Sequence, residues 1–203
     1  MTRSKRDPLL RVARAVSHAG VWLSGALMVG AAGLIGVDVV LRKLFNMSVG
    51  GADEVSGYVL AIGSAWAFAY CLLDRGHIRI DSVYVWLPAR LRAVLDVTAV
   101  LVFTAFMALV TWYAWGVLEQ SWSVGARSIS PLATPLVIPQ ALWLVGLLSV
   151  LFVGVVLLVR AVPVLARGGD AEVGRLVGYR TVSEELETEL EREQRLRREL
   201  PRR

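Results

Sequence analysis

The sequence holds one cysteine, Cys71, two histidines, His18 and His77, and charge on only 19% of its residues. A lone cysteine excludes an internal disulfide. Cys71 lies near the end of an apolar run, where a small packing residue is the expected role. A bis-histidine haem across a helical bundle needs paired histidines inside spans, and none exist. Asp74, His77 and Asp81 invite a metal-site reading. Gly76 and the β-branched isoleucines argue against one continuous helix there, and the ligand number falls short of what such sites use. No P-loop, dinucleotide glycine motif or nucleophile elbow stands in a suitable context. The expectation is no catalytic residue, no metal and no cofactor. Charge is scarcest in the middles of the apolar runs, where ion and proton pathways usually place it. Alone, the chain is a poor pump, channel or enzyme.

What is present is apolar. Hydrophobic residues make up 56% of the chain, and the mean hydropathy is +0.57. Four runs reach or approach the about 20 residues that carry a helix across a bilayer. The predicted fold is all-α: a polytopic membrane protein with spans at about 16–40, 55–73, 95–118 and 139–162. A basic arm over 1–14 precedes this 15–162 transmembrane domain, and 163–203 follows it as a linker and a charged helix. The arm resembles the n-region of a signal peptide. The run behind it is too long for an h-region and lacks a small-x-small cleavage site, so it reads as a retained span. The net charge of +5 is accounted for by topology and anionic lipid, and no nucleic-acid partner is expected.

The segment Asp74-Arg75-Gly76-His77-Ile78-Arg79-Ile80-Asp81, continuing to Arg92, sets the orientation. Short loops rich in Lys and Arg stay in the cytoplasm. The arm carries five such residues, this loop four and the tail from Arg160 ten, against Arg42, Lys43 and Arg127 in the two other loops. Both termini are therefore expected inside. Within the inner loop, Asp81 is placed to cap a short interfacial helix from Ser82 to Leu87, whose Tyr84 and Trp86 favour the headgroup level.

Along the chain, span one is rich in small residues. Gly20 with Ser24, Ala26 with Gly30, and Ala32 with Gly36 have the spacing that lets helices approach closely in lipid, although glycine is also simply common in membrane helices. Asp38 and Arg42 are four apart and suited to pair. Asn46, Gly50 and Gly51 form a turn signal. Asp53 and Glu54 then open span two, where acids complement the free N–H groups and the dipole. A sharper alternative holds Glu54 inside the protein, facing Arg42 or a partner. Trp112, Tyr113, Trp115 and Trp122 mark an outer aromatic belt. The loop from Glu119 to Ile138, with Pro131 and Pro135, is expected to be ordered by its prolines and not by secondary structure. Pro163 to Tyr179 reads as a linker. Thr181 to Leu200 reads as a solvated cytoplasmic helix, with a Thr181–Glu184 capping box and i,i+4 pairs Glu191–Arg195 and Glu193–Arg197.

Three stretches carry a family resemblance: Gly51-Ala52-Asp53-Glu54-Val55-Ser56-Gly57-Tyr58, His77-Ile78-Arg79-Ile80-Asp81, and Thr134-Pro135-Leu136-Val137-Ile138-Pro139-Gln140. In this order and with this topology, the chain resembles the small membrane subunit (DctQ-like) of TRAP, or tripartite ATP-independent periplasmic, transporters, over about 15–162. The resemblance implies a bacterial inner-membrane protein partnered by a large permease subunit that carries substrate and sodium. It also implies a periplasmic binding protein that delivers an organic acid. The small subunit would brace the large one, with lipid filling gaps between them. By similarity, Arg42, Asp53, Glu54, His77, Arg79, Asp81 and Arg127 are candidate partner-docking or loop-fixing residues. The alternative is a membrane anchor or assembly subunit of an integral-membrane enzyme complex.

Overall fold

A backbone in lipid must satisfy its own hydrogen bonds, which an apolar run does by forming a helix. The computed structural model describes residues 8–75 and 86–178, with Leu190 and Glu193 in the tail. Five helices follow in order: α1 Pro8–Phe45, α2 Ala52–Leu73, α3 Ala89–Ser123, α4 Val137–Ala166 and α5 Asp170–Val177. The first four are long and apolar enough to cross a membrane. Among the described residues there is no strand, only an isolated bridge between Arg127 and Pro135.

Several helices outrun their apolar centres. α3 has 35 residues and starts directly after Pro88, whose φ of −62° suits a helix entrance. Arg90, Arg92, Glu119 and Gln120 continue it at both ends, because falling hydropathy does not lower helix propensity for such side chains. α1 has 38 residues, a length of about 57 Å, nearly twice a bilayer core.

α2 packs between α1 and α4, and α4 packs between α2 and α3. The most apolar stretch of α4 is 50% buried within the chain and that of α1 only 11%. α4 is thus the central helix and α1 a flank. Trp66 of α2 is wedged where two glycines allow it: an added Cβ would lie 3.1 Å from its ring at Gly20 and 2.7 Å from it at Gly146. Its indole Nε1 donates to the Leu142 carbonyl at 3.0 Å. The small-residue face expected on α1 is therefore split. Gly20 and Ser24 face α2, whereas nothing lies within 4 Å of an added Cβ at Gly25, Gly30, Gly33 or Gly36.

The stretch expected to be a linker is structured instead. α4 continues through Pro163, and α5 covers its C-terminal end together with the N-terminal end of α3. Val173 and Val177 of α5 join Ala93, Val97, Val153 and Leu157 in one core. Arg90 holds α5 from outside, bonding Asp170 Oδ1 at 3.1 Å and the Leu165 carbonyl at 2.9 Å. Asp96 is buried in this region, beside Gly178. The expected interfacial helix over 82–87 lies outside the described residues except for Trp86 and Leu87, which form a turn. The expected helix over 181–200 lies outside them except for Leu190 and Glu193.

Candidate functional site

The described candidate residues, Arg42, Asp53, Glu54 and Arg127, lie at the end of the bundle where α1 meets α2 and α3 meets α4. α1 overshoots the start of α2, and the chain doubles back along it. The Met47 amide reaches the Leu41 carbonyl at 3.4 Å. Asp38, only 3% exposed, receives the Val49 amide at 2.7 Å and the Ser48 hydroxyl at 2.8 Å. Arg42 pairs with the same carboxylate, one helical turn on. One buried acid thus collects three donors, which is how a charge is kept at such a place. The turn ends in left-handed backbone at Gly50 and Gly51, with φ of 66° and 93°.

Gly51 is required twice. Its φ disfavours any side chain, and Leu132 of the distant α3–α4 loop occupies the space a Cβ would need. That loop is held by backbone bonds. Ser128 N donates to Thr134 O at 2.9 Å, Leu136 N to Ala126 O at 3.0 Å and Ala133 N to Ser130 O at 3.0 Å. The expectation that prolines alone order it is corrected: it closes as a hairpin-like turn around the Arg127–Pro135 bridge. Pro131 and Pro135 sit where no amide is needed for these bonds.

Glu54 joins the two loops. Its carboxylate accepts the Tyr58 hydroxyl at 2.6 Å, one turn along α2, and the Ser130 hydroxyl from the α3–α4 loop. Glu54 is half-buried, and its partners among the described residues are these two hydroxyls and not Arg42. Asp53 is exposed, in the first turn of α2, and its carbonyl accepts the Ser56 hydroxyl at 2.8 Å. Arg127 turns inward on its own loop, donating to Ala133 O at 3.2 Å. Arg42, Asp53, Glu54 and Arg127 thus share one end of the molecule. His77, Arg79 and Asp81 lie outside the described residues.

Ser130, Tyr58 and Asp38 were not singled out as site residues. Ser130 carried no signal, since a loop serine is ordinary until its partner is known. Tyr58 stands four after Glu54, a helical neighbour whose hydroxyl reaches back. The carboxylates and hydroxyls of this cluster bind each other, and among the described residues no group of three His, Cys, Asp or Glu could hold a metal. The arrangement is suited to fixing two loops as one surface. Ile129 and Leu132 stand out from that surface, Ile129 fully exposed.

The resembling stretch 51–58 thus meets the loop that leads into 134–140, although Glu54 and Ser130 lie 76 positions apart. The family model described as tripartite ATP-independent periplasmic transporters, DctQ component, matches residues 31–164. The chain belongs to the DctQ family. It is a small membrane component of a TRAP transporter, a multi-pass helical protein. Comparison with curated proteins and with solved structures found no match. The DctQ match takes in the whole Asp38–Glu54–Ser130 cluster and ends before α5.

Proposed function

We propose that this DctQ subunit braces the large permease subunit of its transporter during ion-gradient-driven uptake of an organic acid handed over by a periplasmic binding protein. The observation that carries the reading is the family match across 31–164. The distribution of charge supports it. Asp38 and Asp96 lie toward helix ends, and the centres of the four apolar runs hold no charged side chain from which to build a pathway. A helical slab without its own route gains a use beside a subunit that has one.

In this reading the protein lies in a bacterial inner membrane with both termini in the cytoplasm, following the loop charges. The Glu54–Ser130 surface then faces the periplasm, where permease loops and the binding protein meet it. Arg42, Asp53, Glu54 and Arg127 shape that surface. His77, Arg79 and Asp81 act on the cytoplasmic side, docking the large subunit. Exposed apolar side chains on α1, such as Trp22, Val29 and Val37, face the permease or lipid.

Co-expression of the tagged chain with a large TRAP permease subunit from the same organism tests this. The expected result is co-purification of the two and loss of uptake when either is deleted. Uptake that persists without this chain, or turnover or bound haem in the chain purified alone, overturns the reading.

A further inference from the structure

At the end of the bundle opposite the Glu54 cluster, α1, α2, α4 and α5 surround a cavity of about 290 Å³. Three arginines line it from three separate segments: Arg14 of α1, Arg75 just beyond α2 and Arg175 of α5. Among the described residues that line it, Asp74 is the one carboxylate. Arg75 is oriented by a bond from Nη1 to the Gly174 carbonyl at 3.1 Å. Arg14 and Arg175 are exposed and make no hydrogen bond or ion pair among the described residues. Leu10, Leu157, Tyr70 and His18 also line it, the two leucines only 5% and 3% exposed.

Arginines at span ends ordinarily spread outward to bulk lipid and water. Three on one hollow concentrate positive charge there, and Arg14 and Arg175 have no carboxylate partner among the described residues. The planar guanidinium fork fits a phosphate with two parallel bonds. Basic pockets between transmembrane helices on the cytoplasmic side take anionic lipid head groups in this way. The volume is at the small end of ligand sites, about 300 Å³, enough for a phosphodiester and its glycerol. Its place at the ends of helices long and apolar enough to cross a membrane, where lipid head groups lie, favours a lipid over a free anion.

We propose that this cavity is a binding site for the phosphate head group of an anionic phospholipid. The bound head group joins α5 to the first turns of α1 through Arg175 and Arg14. The site is built by this chain alone and does not depend on the bracing role.

Native mass spectrometry of the full chain in detergent, titrated with phosphatidylglycerol or phosphatidylcholine, tests it. Phosphatidylglycerol should be retained in preference. The R14Q/R175Q variant should lose that retention, by roughly fivefold for each arginine removed. The R11Q/R167Q variant removes the same charge from exposed arginines outside the cavity lining and should keep it. Circular dichroism checks that each variant is folded. Equal retention of both lipids, or equal loss in the two variants, overturns the proposal. Inorganic phosphate that binds at the same arginines while phosphatidylglycerol does not would assign the cavity to a free anion and overturn the lipid.

Discussion

The hydroxyl of Ser130 donates to the carboxylate of Glu54, tying the loop between α3 and α4 to the first turn of α2. Both groups are half-buried, so the bond is less screened than a surface contact. The two substitutions S130A and E54Q should each lower the melting temperature of the purified chain. Their combined effect should fall short of the sum of the two, as for one charge-assisted bond removed twice. Additive costs in a double-mutant cycle would separate the two residues.

The glycines divide into those that hold helices together and those that face open space. A side chain at Gly146 meets Trp66 at 2.7 Å and the Ala65 Cβ at 2.9 Å. The tryptophan is pinned by its bond to Leu142, so α2 and α4 must separate. G146V should destabilise the isolated chain by about 1–3 kcal/mol, read as a lower melting temperature in detergent.

Gly33 has no neighbour within 4 Å of an added Cβ. G33A should therefore leave the isolated chain within about 0.5 kcal/mol of the parent, or slightly more stable through helix propensity. G33L should be equally mild for the isolated chain. If the permease packs on this face, G33L should reduce its co-purification, since small residues permit the closest helix approach in lipid. Undiminished recovery of the permease would leave that face of α1 to lipid.

Much of this was legible in the sequence, and the failures have physical causes. Four spans follow from run length, because lipid leaves an apolar backbone no other structure. The Asp38–Arg42 pair follows from helical spacing. What spacing cannot supply is the partner of a group whose bond crosses the molecule. Glu54 could be placed at a helix start, but Ser130 lies 76 positions away in a loop with no periodicity. The short helix α5 was missed for another reason. Its glycines and its position after Pro163 outweighed a pattern that was present: acids Asp170 and Glu172 in the first turn, Arg175 in the last, and Val173, Leu176 and Val177 on one face.

Val173 makes α5 testable. It is fully buried against α3 and α4, although it lies beyond the stretch that matches the family. V173D places an acid in that core and should destabilise the chain by more than about 3 kcal/mol, or detach α5 altogether. Limited proteolysis would then cut between Arg167 and Arg175, while the parent chain resists. An unchanged digest would mean that α5 is only loosely laid on the bundle.

The orientation of the whole slab rests on the loop charges, and it can be read directly. Ile129 stands fully exposed on the Glu54 surface, and Arg167 is exposed at the opposite end. Cys71, the only cysteine, is half-buried within α2 and can be replaced by alanine to give a clean background. In that background an impermeant maleimide added to intact cells should label I129C and leave R167C unlabelled until the cells are opened. The reasoning is electrostatic: basic residues near the spans are retained on the cytoplasmic side. They gather in the arm, the 74–92 loop and the tail, while only Arg42, Lys43 and Arg127 stand at the other end. Labelling of R167C from outside would invert the slab. It would place the arginine cavity in the periplasm and the Glu54–Ser130 surface in the cytoplasm, out of reach of any binding protein.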